Sequence, residues 1–255
     1  MTWSGRPRVV LASLSGQSDA AWARAGSPHA SAAFLGGVTL DGPTREAASA
    51  MVARGREEFL PPDPVAFIEE QLASLADVSI RPGINVRTTT RDPLARAARV
   101  CANRDAIIEI NAHCRQTEMC AVGAGESLLA DTERLCEQVR VARECGPDVS
   151  VKVRAETGVD LPALAEELER AGASLIHIDA MDSPDVVERV VEATGASVIA
   201  NNGVRDREST WKYLEQGADA VSVGRASDDP VVLRRVAEAT VAWDDRTGAT
   251  DQMHA

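Results

Sequence analysis

The feature that most constrains this fold is an alternation of short apolar stretches with longer amphipathic ones, repeated eight times along the chain. Short runs rich in Val, Ile and Ala are typical of buried strands, and the longer segments have helical spacing of their apolar residues. Strands that alternate with helices form right-handed βαβ units and a parallel sheet. The predicted strands are Val9–Ser15, Ser31–Val38, Ile84–Thr89, Ile107–His113, Ser150–Ala155, Ser174–Met181, Ser197–Gly203 and Ala220–Ala226.

Eight strand–helix units favour a closed barrel over an open doubly wound sheet, and 255 residues are enough for one such domain. The first loop, SLSGQSDA, also lacks the G-x-G-x-x-G pattern of dinucleotide-binding sheets. We therefore predict a single (β/α)8 TIM barrel over residues 1–243 and a frayed polar tail over residues 244–255. The predicted helices are Thr44–Phe59, Pro64–Ala76, Asp92–Asn103, Glu126–Cys145, Leu161–Ala171, Ser183–Ala193, Asp206–Gln216 and Asp229–Val241.

Charge and cysteine content exclude several classes of protein. The formal net charge of −12 argues against unaided, non-specific binding to nucleic acid, which requires a basic surface. The five cysteines are irregularly spaced, unlike a disulfide framework. No stretch approaches the ~18 apolar residues of a membrane span, and Met1–Arg8 is too polar for a signal peptide. We expect a cytoplasmic protein.

Polar and nucleophilic residues follow the predicted strands, where a β/α barrel carries its chemistry. The run IIEINAHCRQTEMCAVGAGESLL, from Ile107 to Leu129, ends a strand in Asn111, His113 and Cys114 and continues into a loop that contains glycine. The other strand ends contribute a further set of polar residues and glycines: Ser13, Ser15, Gly36, Gly37, Arg87, Lys152, Arg154, His177, Asp179, Asn201, Asn202, Gly224 and Arg225.

The last two strand ends predict a phosphate site. Asn202 and Gly203 follow the seventh strand, Gly224 and Arg225 follow the eighth, and each pair precedes a helix. Barrels often hold a phosphate between these two loops, because glycines let backbone N–H groups approach the oxyanion and arginine adds charge-assisted bonds. The alternative is that both glycines serve only as turn residues.

Lys152 is one of only two lysines in the chain and lies inside the apolar strand VSVKVRA, on the same face as Arg154. A cation inside a barrel is unfavourable unless it is paired or has a function. We expect a functional role for Lys152, with an internal salt bridge as the alternative.

Cys114 lies between His113 and Arg115 just beyond a strand, where a reactive, accessible thiol is favoured, although free cysteines more often pack as small apolar residues. Its spacing from Cys120 matches no zinc pattern, so no metal site is predicted. His177 and Asp179 share one face of the sixth strand, as a buried His–Asp pair that is either structural or part of the site.

The segments above resemble the flavin-dependent tRNA-dihydrouridine synthases, and in particular their shorter archaeal relatives, from about Val9 to Arg235. VVLASLSGQSD resembles the opening strand of that family, and INAHC followed by GAGESLL resembles its Asn-x-Gly-Cys-Pro segment. VSVKVR resembles its Val-x-Val-Lys-x-Arg strand, and IANNGV and VSVGRA resemble its paired phosphate-binding loops.

The resemblance implies that FMN binds at the barrel mouth and that NADPH or NADH is the electron donor. It further implies hydride transfer from the reduced flavin to C6 of a uracil ring, with Cys114 as the general acid that protonates C5. Lys152 would reach the isoalloxazine ring, and Asn111 would position ring or substrate. The remaining cofactor-binding residues implied by the resemblance are Ser13, Arg87, His177, Asp179, Asn202, Gly203, Gly224 and Arg225.

Several positions depart from the family pattern. Gly-Cys-Pro is replaced by His113-Cys114-Arg115, a glutamine of the third strand by Arg87, and a histidine after the sixth strand by Asp179. The chain also ends soon after its eighth predicted helix, so we expect it to lack the C-terminal helical domain that helps to hold tRNA. A uridine-containing substrate is expected, with tRNA as one candidate.

Two other functions fit the same residues. A barrel lyase or isomerase that binds a phosphorylated metabolite would use Lys152 as a Schiff-base or proton-transfer group, supported by Asp179. A non-catalytic protein would keep affinity for flavin or phosphate without turnover.

Overall fold

Eight parallel strands close into a barrel in the order of the sequence, with the first strand paired to the last. The computed structural model describes residues 8–253, with side chains described through residue 247; the Met1–Arg8 segment therefore lies outside the described residues except for Arg8. The prediction of a (β/α)8 barrel is confirmed. The strands are β1 Val9–Leu11, β2 Ala32–Thr39, β3 Arg81–Arg87, β4 Ile107–Asn111, β5 Val149–Arg154, β6 Leu175–Asp179, β7 Ser197–Asn201 and β8 Ala220–Val223.

Helices cover the outside of the barrel, and several begin at an aspartate whose side chain accepts a backbone N–H of the first turn. They are α1 Ala20–Gly26, α2 Gly42–Ala53, α3 Pro64–Ala73, α4 Arg91–Asn103, α5 Thr117–Ala121, α6 Thr132–Glu144, α7 Leu161–Ala171, α8 Val186–Ala193, α9 Arg207–Glu215 and α10 Pro230–Met253. Short 3-10 helices span Gly125–Ala130 and Arg225–Asp228.

The helices differ from the prediction at several places for local reasons. Helix α1 was not predicted, because seven residues are too few to show a helical period. Helix α2 ends at Ala53 rather than Phe59, since Gly55 adopts a positive φ of 90°. The helix predicted over Glu126–Cys145 is divided, because Asp131 interrupts it and caps α6 by accepting the N–H of Arg134.

The last helix continues past the boundary predicted between residues 243 and 244. Asp244 forms an ion pair with Arg8 at 2.7 Å. The Arg246 guanidinium lies 4.2 Å from the ring centroid of Trp243 and 4.5 Å from that of Trp211. These contacts hold the polar segment against the barrel wall as helix, where composition alone suggests a frayed tail.

The barrel interior changes from apolar to polar along its axis. Seven fully buried residues close the amino-terminal end: Val10, Ala32, Phe34, Ile107, Leu175, Ile199 and Ala220. Phe34 is the largest side chain of this layer, and Gly83 makes room for it, since a Cβ at Gly83 would lie 2.5 Å from the Phe34 ring. Polar side chains fill the interior above this layer and lead to the open end of the barrel. Among residues 8–253, no helix is long and apolar enough to cross a membrane.

Candidate active site

The carboxyl ends of the strands meet at one mouth of the barrel, and strand register places the predicted site residues side by side there. Asn111 on β4 is paired with Lys152 on β5, and Arg154 on β5 with Asp179 on β6. The mouth therefore brings together residues that are distant in sequence, with cations and carboxylates on neighbouring strands.

A buried hydrogen-bond network fills the interior just below the mouth. Glu109 is at its centre: Oε1 accepts from Asn85 Nδ2 at 2.7 Å, and Oε2 lies 2.7 Å from His177 Nδ1. The other ring nitrogen of His177 lies 2.7 Å from Ser222 Oγ, which accepts from Asn201 Nδ2 at 2.6 Å. Because each polar group has a partner, the network is stable without solvent.

His177 belongs to this network rather than to a pair with Asp179. Its side chain is fully buried and both ring nitrogens are engaged, so it has no free atom to offer at the mouth. Burial lowers the pKa of His177, although Glu109 opposes this. Burial raises the pKa of Glu109, but His177 and Lys152 bring it below its usual range. A neutral ring that donates Nδ1–H to ionised Glu109 satisfies both partners.

Lys152 is buried at the base of the mouth, and the residue as a whole is 3% exposed. Among the described residues it has no hydrogen-bond partner, whereas the neighbouring inward residue Arg154 pairs with Glu126 at 3.1 Å. Burial lowers the pKa of Lys152, and Glu109 and Asp179 act in the opposite direction. An internal salt bridge, the alternative reading of Lys152, is absent within the described part of the chain.

Arg87, at the end of β3, also lies at the mouth, in contact with Glu58 and Ser15. Its Nη1 donates to Glu58 Oε2 at 2.7 Å and its Nη2 donates to Ser15 Oγ, while its buried Nε has no partner among the described residues. Gly37 permits this arrangement, because a Cβ there would lie 3.1 Å from Arg87 Nε. Burial lowers the pKa of Arg87, but nearby Cys114 and Glu58 raise it and keep the guanidinium charged.

The loop that carries Cys114 is fixed by Asn111 and Gly125. Asn111 Oδ1 accepts the backbone N–H groups of His113 at 3.2 Å and of Cys114 at 2.9 Å, while its Nδ2 donates to Asn85. Gly125, at a φ of 63°, lies against the Cys114 carbonyl, and a Cβ there would be 2.3 Å from that oxygen. Asn111 therefore shapes the loop, and the second N–H of its amide, which has no partner among the described residues, is available to a ligand.

His113 and Asp179 connect the loops after β4 and β6. His113 Nε2 lies 2.8 Å from Asp179 Oδ2, and the side chains are 31% and 14% exposed. Burial lowers the pKa of His113, partly opposed by Asp179. Burial raises the pKa of Asp179, but the hydrogen bond from His113 brings it below its usual range.

The two predicted phosphate loops are adjacent. Asn201 pairs with Ser222, so Gly203 and Gly224 each lie two residues beyond a paired position. A Cβ at either glycine would meet no atom within 4 Å, and their backbone N–H groups donate to no other described residue. Exposed Arg225 follows Gly224, which leaves room for an oxyanion beside free N–H donors and a guanidinium.

Asn202 and Ser13 complete the predicted set. Asn202 Nδ2 donates to the Met181 carbonyl at 2.7 Å, which fixes the loop after β7. Ser13 lies half-buried after β1, with no hydrogen bond from its hydroxyl to another described residue.

Sequence reasoning missed Glu109, Asn85, Ser222 and Glu58. The sequence did contain a signal for Glu109. Its carboxylate lies inside the apolar run IIEIN on the same face as Asn111, just as Lys152 lies inside its own apolar strand. Glu58 gave no such signal, because it lies in an irregular segment and contacts Arg87 only through the tertiary structure.

Comparison with known proteins identifies relatives along most of the chain. The family model described as dihydrouridine synthase matches residues 84–250. An uncharacterized protein of Methanocaldococcus jannaschii is 27% identical over 231 residues, covering 86% of this chain and 88% of that protein. The tRNA-dihydrouridine synthase B of Xanthomonas axonopodis pv. citri is 24% identical over 245 residues, covering 88% of this chain and 67% of the enzyme.

Solved structures add evidence for the fold alone. The tryptophan synthase complex from Pyrococcus furiosus aligns with a TM-score of 0.59 and 14% identity, over 93% of this chain and 99% of that one. The family match, by contrast, covers well over half of the chain, including most of β3, all of β4 to β8, and with them Cys114, Lys152 and Arg225. The chain belongs to the dihydrouridine synthase family, whose members are flavin-dependent oxidoreductases.

Proposed function

We propose that this protein binds FMN at the barrel mouth and reduces the C5=C6 double bond of a uracil-type ring, with NADPH or NADH as the electron donor. The observation that carries the proposal is Lys152, a buried residue at the mouth whose ammonium has no hydrogen-bond partner among the described residues. An unpaired buried cation is unfavourable in the protein alone, so a ligand with anionic character is the natural partner.

The donor groups around the mouth fit FMN at two separate places. The free N–H groups of Gly203 and Gly224, beside Arg225, fit a phosphate monoester. On the other side, Lys152 and the unpartnered Nε of Arg87 fit the carbonyl oxygens of a flat heterocycle. When bound, reduced FMN would supply the hydride that adds to C6 of the uracil ring.

Cys114 is proposed as the general acid that delivers a proton to C5 of the substrate. It is half-buried on a loop whose shape is fixed by Asn111 and Gly125, so the thiol has a defined position and remains accessible. Lys152 contributes positive charge where negative charge develops on the cofactor, and Arg87, held by Glu58, orients the ring edge.

Uridine in RNA is the proposed substrate class, and tRNA is the first RNA to test because curated relatives are tRNA-dihydrouridine synthases. The net charge of −12 offers little general attraction for RNA, so recognition would depend on the local cations of the mouth. A smaller uracil-containing molecule is the corresponding alternative.

The test compares FMN binding by wild type, Lys152→Met and Lys212→Met. Lys212 is an exposed residue of α9 and the only other lysine, so its variant is a matched control for loss of one ammonium. Removing a buried charge-assisted contact costs about 1.5–3 kcal/mol, so we expect FMN to bind Lys152→Met about ten- to hundredfold more weakly. Lys212→Met should bind FMN as wild type does.

Visible absorption after FMN addition and desalting gives the first answer. Retained flavin bands, bleached by NADPH or NADH and restored by a uridine-containing RNA, would support the proposed activity. A colourless protein that does not retain FMN would contradict it and favour the phosphate-binding lyase or isomerase.

A further inference from the structure

His113 and Asp179 form a pair at the mouth that the proposed chemistry leaves unused. The bond between His113 Nε2 and Asp179 Oδ2 joins the loop after β4 to the end of β6, and so passes over β5, the strand that carries Lys152. The His113 side chain is 31% exposed, and Lys152 lies near enough that its positive charge helps burial to lower the pKa of His113. The ring is thus held rigidly on the open side of the mouth, close to the free ammonium.

The pairing with Asp179 determines which ring nitrogen is free. A carboxylate only accepts hydrogen bonds, so the neutral imidazole must carry its proton on Nε2 and its lone pair on Nδ1. Burial lowers the pKa of His113, which favours this neutral form at neutral pH. Nδ1 has no partner among the described residues. The mouth therefore presents an acceptor, His113 Nδ1, near a donor, the Lys152 ammonium.

We propose that His113, oriented by Asp179, accepts a hydrogen bond from the imide N–H of a ring bound at the mouth. An imide edge consists of an N–H between two carbonyl groups. The Lys152 ammonium can donate to one of these carbonyl oxygens, while the lone pair of His113 Nδ1 accepts from the N–H. The isoalloxazine ring and the uracil ring both carry an imide edge, at N3 in each. The inference rests on the proposed function, since it requires such a ring at the mouth.

Binding measurements with N3-methylated probes test the contact and distinguish its two sources. In one arm, FMN and 3-methyl-FMN are titrated into the flavin-free protein. In the other, uridine monophosphate and 3-methyluridine monophosphate are titrated into the FMN-loaded protein and followed by flavin absorption. A lost neutral hydrogen bond corresponds to about a three- to tenfold change in affinity. Wild type should prefer the unmethylated probe by at least that factor in one arm, and His113→Ala should lose the preference.

Two further variants separate this role from a structural one. Asp179→Asn keeps the imidazole of His113 but no longer fixes its tautomer. The preference for the unmethylated probe should therefore fall in the same titration in which His113→Ala loses it. This variant also replaces His113→Ala if that protein folds poorly. His29→Ala is the matched control, because His29 lies between α1 and β2 at the opposite end of the barrel. An unchanged N3 preference in both arms for the His113 and Asp179 variants, with FMN still bound, would overturn the inference alone. A wild-type protein without FMN affinity would overturn the proposed function as well.

Discussion

Asp41 offers the sharpest test of how the mouth is held together. One carboxylate oxygen, Oδ1, caps α2 by accepting the N–H and hydroxyl of Thr44 at 3.2 and 2.6 Å. The other, Oδ2, accepts from the hydroxyls of Thr88, Thr89 and Thr90 and from the Thr89 N–H, at 2.6–3.1 Å. Asp41 therefore ties α2 to the segment that directly follows Arg87. Asp41→Asn keeps the shape but replaces one acceptor with a donor that faces the Thr89 N–H.

The contribution of the Asp41 carboxylate to the free energy of folding follows from its pKa. Burial raises the pKa of Asp41, but the hydrogen bonds from Thr44 and Thr89 outweigh burial and lower it from 3.8 to about 2. At 1.36 kcal/mol per pKa unit, this lowering corresponds to about 2 kcal/mol of folding free energy. Since the folded-state pKa is depressed, the stabilisation is complete above about pH 5 and is lost progressively as the pH falls through about 2. Roughly half of this stabilisation by Asp41 should be lost at pH 3.

Urea unfolding of wild type and Asp41→Asn at pH 7 and pH 3 measures this directly. Asp41→Asn should lower the free energy of unfolding by about 2–3 kcal/mol at pH 7 and by clearly less at pH 3. Asp63→Asn is the matched control, because Asp63 caps α3 in the same way but is exposed, and asparagine caps helices nearly as well. An Asp41→Asn cost that equals that of Asp63→Asn, or that is the same at both pH values, would refute the reasoning.

Two predictions concern the Cys114 loop. Cys114→Ala should retain bound FMN. Because the general acid is absent, the rate at which a uridine-containing RNA reoxidises the reduced flavin should fall at least about a hundredfold. An unchanged rate would show that the proton comes from another group. Gly125→Ala should lower thermal stability and change the rate of Cys114 alkylation, since a Cβ would lie 2.3 Å from the Cys114 carbonyl at a φ of 63°. Wild-type values for both measurements would contradict the close approach.

The predicted strands all exist, and their ends differ from the prediction by a few residues where loops follow. The strands were predictable because each is a local run of apolar residues, and the polar ends of the runs identified Lys152 and Cys114 as members of one mouth. The division of the helix predicted over Glu126–Cys145 was less visible, because the cap at Asp131 competes with an otherwise continuous helical pattern. The pair predicted between His177 and Asp179 is wrong, since a shared strand face does not specify the partner.

By itself, the sequence determined the (β/α)8 barrel and most of the residues that its mouth collects, because strand period, helix period and turn residues are local properties of the chain. Only the tertiary structure decided which of those residues meet. Glu109 meets His177 across 68 positions of sequence and His113 meets Asp179 across 66, while Lys152, between them, has no hydrogen-bond partner among the described residues. A hydrogen bond requires its donor and acceptor atoms to lie within a few ångströms of each other. For side chains on different strands, closure of the barrel sets that distance only after every strand is in register.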